Sequence, residues 1–228
     1  MTEVHVWSDI ACPWCYVGKR RLEAAIERFG RDVEVVWHAF ELDPASPPEQ
    51  DLSVASYAER LARKYEAPLA HAERMIAEMT ETARGEGLAF RFDRIRPGNT
   101  FDAHRLLCFA RLRGRQGALK ERFLRGYFCE GARIGDHATL LRLAQEVGLD
   151  AGEVDAIVRS DAYAAEVRQD EERAASMGVR GVPFFLVGRF GVSGAQSPQT
   201  LLQALERAQE ESRSEGDEGA TCGPGGCG

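Results

Sequence analysis

Residues 8–21 read SDIACPWCYVGKRR, with Cys12 and Cys15 separated by Pro13 and Trp14. A thiol pair at this spacing is a redox centre, half of a metal site or two buried small hydrophobes, and the flanking sequence decides between them. Upstream, Val4 and Val6 alternate with Glu3 and His5, which predicts a strand ending near Ser8. Downstream, Leu22, Ala25, Ile26 and Phe29 fall at i, i+3, i+4 and i+7, one apolar stripe of a helix over 13–29. Gly30 closes that helix, and VEVVWHAF (33–40) is β-branched and aromatic, hence a second strand. Strand, helix, strand in forty residues predicts a βαβ unit with a parallel pair.

Cys12 therefore sits where strand hands over to helix. Pro13 fits the first helical position, because its missing N–H has no partner there anyway. Free N–H groups and the positive end of the helix dipole stabilise a thiolate at Cys12. Cys15 lies one turn on, placed to resolve a mixed disulfide formed at Cys12. Zinc needs two further ligands, and no second pair lies in a segment expected to be ordered, so no metal is expected. Packing alone does not require a proline inside the pair. The dithiol reading is the one the context favours.

The remaining chain supplies the rest of a fold. After the proline-rich DPASPPEQD (43–51) comes a long run of helical patterns, with caps at Asn99 or Thr100, Asp136 and Asp150, and a short extended piece at LAFRFDR (88–94). One helix is expected over 117–129 and another over 162–177. Strand character returns at VPFFLVG (182–188) and FGVSG (190–194), joined by a tight turn at Gly188-Arg189. Ser197-Pro198 opens a last helix over 199–209. The order is β-α-β, a helical insert, then β-β-α. Without the insert this is the thioredoxin order. The expectation is an α/β thioredoxin-like core (1–50 and 178–209) with an inserted all-helical subdomain (51–177) and a disordered tail (210–228) rich in Gly, Ser, Glu and Asp.

Pro183 tests the redox reading. In this order the third strand runs antiparallel to the first, so Pro183 at its start shares the pole with Cys12. A cis bond there exposes the Val182 backbone to an extended peptide. The plain alternative is a trans proline opening a strand; a C-x-x-C at the same pole favours cis. Val182 and Trp14 are the candidate substrate contacts.

Composition narrows the function. The 228 residues carry 29 Lys and Arg against 36 Asp and Glu, a net charge of −7 without a basic run, which argues against nucleic acid. No apolar run approaches the ~18 residues of a membrane span. The N-terminus already reads as strand rather than as a basic segment followed by an apolar one, so a cytoplasmic location is expected. In a reducing compartment, six cysteines point to reactive, metal-binding or buried thiols rather than structural disulfides. Cys108 and Cys129 lie on apolar helical stretches and read as core thiols. Cys222 and Cys227, in TCGPGGCG, have no core to join. They read as a second pair that exchanges with Cys12 and Cys15; soft-metal capture and an incidental end are the alternatives. The coil from Gln209 to Cys222 has an r.m.s. span of about 20 Å, enough to return to the active pole.

SDIACPWCYVGKRRLE, FELDP, GNTFDAHRL, GVRGVPFF and GVSGAQ together resemble the DsbA-like thiol–disulfide oxidoreductases, and among them the FrnE-like branch. The resemblance implies a thioredoxin core with a helical insert, Cys12 attacking, Cys15 resolving, Pro183 in cis, no cofactor, and protein or peptide thiols and disulfides as partners, with a reductase or glutathione behind them. Two positions depart from the pattern. Trp14 stands where better-known members have a thiolate-stabilising His, so strong oxidant behaviour is not expected. Val6 stands where a buried acid is usual, six residues before the first cysteine; Asp9 or His38 is the substitute proton carrier. The alternatives are a glutathione-dependent isomerase resembling 2-hydroxychromene-2-carboxylate isomerase, in which Ser usually stands at the Cys12 position, and a holdase or zinc-binding module.

Overall fold

The structure, a computed structural model, describes residues 2–47 and 56–218. It opens on β1 (Thr2–Ser8), α1 (Pro13–Phe29) and β2 (Val33–Ala39). β1 and β2 pair in parallel, with Val4 opposite Val35. Such a pair needs a crossover, and α1 supplies it. Its apolar stripe buries Leu22 and Ala25, and Gly30 takes the left-handed conformation that ends it.

Among the described residues seven α-helices follow: α2 (Tyr57–Lys64), α3 (Leu69–Gly85), α4 (Phe101–Leu112), α5 (Gln116–Arg125), α6 (His137–Glu146), α7 (Ala151–Val158) and α8 (Ala164–Ser176). Then come β3 (Phe184–Val187), β4 (Phe190–Ser193) and α9 (Pro198–Glu218). The sheet order is β2-β1-β3-β4, with β3 antiparallel to β1 and β4 antiparallel to β3. Trp7 faces Phe184 across the pair, so β3 begins where β1 ends. Among the described residues no helix is long and apolar enough to cross a membrane.

Among the described residues two apolar clusters hold the fold together. One lies among the sheet, α1 and α9: Val4, Val6, Leu22, Phe185, Val187, Leu201 and Leu205. The other fills the helical block, around Leu106, Leu119, Phe123, Phe128 and Leu143, and takes in Ile10, Tyr16 and Val17. The first turns of α1 thus belong to the helical core and its later turns to the sheet core. The segment carrying the two cysteines is clamped from both sides.

Several boundaries differ from the sequence expectation for local reasons. Residues 88–94 form no strand: Phe90 and Phe92 both pack into the aromatic cluster with Phe128, and Arg91 N–H donates to the Phe128 carbonyl at 2.8 Å. The helix expected over 117–129 is α-helical only to Arg125, and Gly126–Glu130 forms a π-helical turn. Gly126 fits there because a Cβ would lie 3.2 Å from both Ala132 Cβ and Leu143 Cδ1. α8 begins at Ala164, since Tyr163 is left-handed with φ 62°. Thr100 holds the N-cap position of α4 without a side-chain cap hydrogen bond, and Asn99 supplies one, its Oδ1 accepting from Phe101 N–H at 2.8 Å. The last helix runs nine residues past the expected end at Gln209, into the segment expected to be a disordered tail; EESRSE (210–215) holds no proline or glycine, and Gly216 falls only in the last turn. Asp136 and Asp150 cap α6 and α7 as their sequence positions suggest.

Candidate active site

The β1–α1 junction folds into a tight turn in which Cys12 N–H donates to the Asp9 carbonyl at 3.4 Å. Cys15 N–H donates to the Cys12 carbonyl at 3.1 Å, closing the first turn of α1 behind Pro13. Both thiols are free. Cys12 is 4% exposed and Cys15 fully buried. The Val182–Pro183 bond is cis, and the Cys12 thiol donates to the Val182 carbonyl at 3.5 Å. The two sequence signals, 170 residues apart, therefore meet.

Cys12 lines an open cleft of about 890 Å³. Pro13, Trp14, Gly181 and Val182 form its core side, and Tyr57, Arg60 and Lys64 of α2 line the helical side. Trp14, 45% exposed, is among the few large apolar side chains left open to solvent. Cys15 does not reach the cleft. Gly18, one turn further along α1, lets Pro183 approach: a Cβ there would stand 2.9 Å from Pro183 Cγ and 3.1 Å from Phe185 Cζ. Gly18→Ala is expected to destabilise the protein by about 1 kcal/mol in urea unfolding, overpacking outweighing the helix-propensity gain. A stabilised variant shows instead that Pro183 yields freely.

Beneath the thiols lies a buried polar group that the sequence gives little hint of. Asp9, nearly fully buried, accepts from Leu42 N–H at 2.8 Å and Ala11 N–H at 3.3 Å, and His104 Nε2 of α4 stands 3.4 Å from its Oδ1. Burial pushes the Asp9 carboxyl up, but the hydrogen bond and charge of His104 and the Leu42 amide outweigh it and hold the group below its ordinary value. From α5, Lys120 reaches under the sheet end, and its ammonium donates to the Ser8 carbonyl at 3.2 Å. One turn earlier on α5, the Gln116 amide bridges the edge strand β2, accepting from Trp37 N–H at 3.0 Å and donating to its carbonyl at 2.8 Å.

Charge in the dithiol is distributed differently from the sequence reading, which places the thiolate at Cys12. Hydrogen bonding with Cys15, burial and the charge of Cys15 push the Cys12 thiol well up. Burial also pushes Cys15 up. There the Cys12 thiol, the Lys120 charge and the Ser8 hydroxyl prevail, and Cys15 falls below the ordinary thiol value. The cation lies on the Cys15 side and favours a thiolate there over one at Cys12. Access, not charge, singles out Cys12.

Asp9 stands at the dithiol as the sequence suggests. His38 does not: its partners are His5, at 2.9 Å, the Asp170 carboxylate, at 2.5 Å, and the stacked Trp7 ring. His38 follows Trp37 on β2, so it points to the opposite face of the sheet. Cys108 and Cys129 are half-buried rather than fully enclosed, and burial pushes Cys108 up to about 12. Cys222 and Cys227 lie outside the described residues. Lys120, Gln116 and His104 go unread in the sequence. The spacing of Gln116 and Lys120 puts them on one face of α5, but only the tertiary docking shows that this face is buried.

The family model for the DSBA-like thioredoxin domain matches residues 3–206. The chain belongs to this family. It is similar to a probable DsbA oxidoreductase from Streptomyces coelicolor, 43% identical, with a TM-score of 0.86 over 100% of this chain and 99% of that one. It is also similar to the uncharacterized protein YwbO of Bacillus subtilis, 29% identical over 213 residues, covering 91% of this chain and 98% of YwbO. The cytosolic disulfide reductase DsbM from Pseudomonas aeruginosa, solved with GSH, shares the fold at 20% identity and a TM-score of 0.61, with 93% of this chain and 98% of DsbM covered. The thioredoxin core with a helical insert expected from the β-α-β, insert, β-β-α order, and the DsbA-like fold that the resemblance implies, are the fold of this family.

Proposed function

We propose that the chain is a thiol–disulfide oxidoreductase acting on protein or peptide disulfides in the cytoplasm, with Cys12 attacking and Cys15 resolving. The observation that carries this reading is the asymmetry of the pair. One free thiol opens onto a cleft beside the Val182 carbonyl, and its neighbour, fully buried, can reach only that thiol. A disulfide entering the cleft meets Cys12 first. The mixed disulfide so formed places its sulfur within reach of Cys15, which closes the intramolecular bond and releases the substrate. Trp14 and the Val182 backbone offer an extended peptide an apolar surface and hydrogen-bonding groups.

Glutathione is the small thiol we propose for returning the pair to its working state. Arg60 and Lys64 line the cleft and suit a tripeptide with two carboxylates, and DsbM, which shares the fold, was solved with GSH. The test of the main reading is insulin disulfide reduction by the full chain with glutathione as the reductant. The expected result is acceleration over the same mixture without protein. No acceleration by folded protein with both thiols titratable overturns the reading, and stoichiometric zinc in the purified protein favours a binding module instead. Equilibration against glutathione buffers then gives the potential and the net direction, about 30 mV for each tenfold in the equilibrium.

A further inference from the structure

Lys120 is fully buried, yet among the described residues no carboxylate lies within 4 Å of its ammonium. It has one carbonyl partner, Ser8, and the face of the Trp37 ring at 5.6 Å. A carbonyl and a ring face leave a buried cation short of charge compensation. The titratable groups acting on it are Cys15, Asp9, Cys12 and Lys19. Asp9 is engaged by His104 and two backbone amides, and Lys19 pairs with Glu23 and Glu121. That leaves the dithiol as the anion able to answer Lys120. The Ser8 hydroxyl beside it is buried without a hydrogen-bond partner and is close enough to Cys15 to favour a thiolate there. Burial depresses the ammonium to about 8, so its proton is exchangeable near neutral pH. Val6 leaves the chain without an acid six residues before the first cysteine, and Lys120 comes from α5 of the helical block.

We propose that Lys120 is the counter-ion of the reduced dithiol: its ammonium holds negative charge on the Cys15 sulfur and gives up a proton when the Cys12–Cys15 disulfide forms. This rests on the exchange reading above. The reaction balances with a protein or peptide disulfide as oxidant. Cys12 thiol, Cys15 thiolate and Lys120 ammonium, with R–S–S–R′, yield the Cys12–Cys15 disulfide, a neutral Lys120 amine and two substrate thiols. Two electrons pass to the substrate sulfurs; one proton comes from Cys12 and one from Lys120. Lys120 acts through the Cys15 sulfur and is a positioning residue. In the reverse direction the amine takes up a proton as the thiolate reappears.

Lys120→Met keeps the length of the side chain and removes the charge. In a Cys12→Ser background, the thiolate absorbance of Cys15 followed against pH is expected to move up by about one unit or more in Lys120→Met. With both cysteines present, the exchange equilibrium with glutathione is expected to shift about tenfold toward the disulfide, about 30 mV toward more reducing. An unmoved thiolate transition and equilibrium in folded Lys120→Met overturn the proposal. Should that variant not fold, the wild-type chain provides the test. The Lys120 ε-carbon resonance, titrated in reduced and oxidised protein, is expected to change at lower pH in the oxidised form. Coincident titrations overturn the proposal. The exchange reading fails separately, if Cys12→Ser retains wild-type insulin reduction.

Discussion

Cys12→Ser is expected to bring insulin disulfide reduction to the uncatalysed background, a loss of at least about a thousandfold, with the fold intact. A hydroxyl at this position is nearly isosteric, and the groups around it ask little of its size: a carbonyl at 3.5 Å and an open cleft. What disappears is a nucleophile that a disulfide can reach. Cys15 cannot substitute, because it is fully buried and lies off the cleft. Cys15→Ser separates the two steps. Its Cys12 still attacks, and the mixed disulfide accumulates because no thiol resolves it. Mass spectrometry of the variant after one substrate equivalent is expected to show the covalent adduct, and the rate with successive equivalents is expected to collapse. A Cys15→Ser protein that turns over at the wild-type rate rules out the intramolecular resolving step.

Local signals in the chain carried far into the structure. The i, i+3, i+4, i+7 stripe after Pro13 placed α1 over the same residues that it occupies, because one apolar face and a terminal glycine are short-range facts. The alternation before Ser8 and the β-branched run from Val33 gave a parallel pair, and β3 returned antiparallel so that Val182 and Pro183 met Cys12. What stayed hidden depends on docking. Nothing in QGALKERF marks Lys120 as buried; a lysine next to a glutamate reads as surface. It is buried because Gln116 fastens α5 to the edge of β2 and Glu121 binds Arg20 and Lys19 of α1, trapping the residue between them. His38 went the other way for a period-two reason: on β2 its neighbour Trp37 faces Lys120, so His38 faces Asp170. At the π-helical turn, Gly126 likewise meets side chains of the loop that follows and of α6, Ala132 and Leu143.

Asp9→Asn is expected to cost about 3 kcal/mol at neutral pH, although the side chains match in shape. The carboxylate accepts from Leu42, in the loop after β2, and from Ala11, in the turn ahead of Cys12, and it faces His104 of α4. An amide offers one acceptor and one donor, so in either orientation its NH₂ confronts an N–H and a buried donor loses its partner. The three segments held by this one residue are the walls of the dithiol, so stability and redox behaviour move together. The pH dependence follows from the direction of the shift. The folded protein holds Asp9 below its unfolded value, so its contribution is fully present above the ordinary carboxylate range. It fades as pH falls through the lower folded value, where the wild-type residue is itself protonated. The gap between wild type and Asp9→Asn in urea unfolding is therefore expected to be wide near about pH 7 and to narrow toward about pH 3. A gap that stays constant over that range means that the carboxylate charge contributes nothing to the fold. The same substitution removes a negative charge that pushes the Cys12 thiol upward. The thiolate absorbance of Cys12 in a Cys15→Ser background is thus expected to appear at lower pH once Asp9 is neutralised, a second reading of the same charge from the other side of the turn.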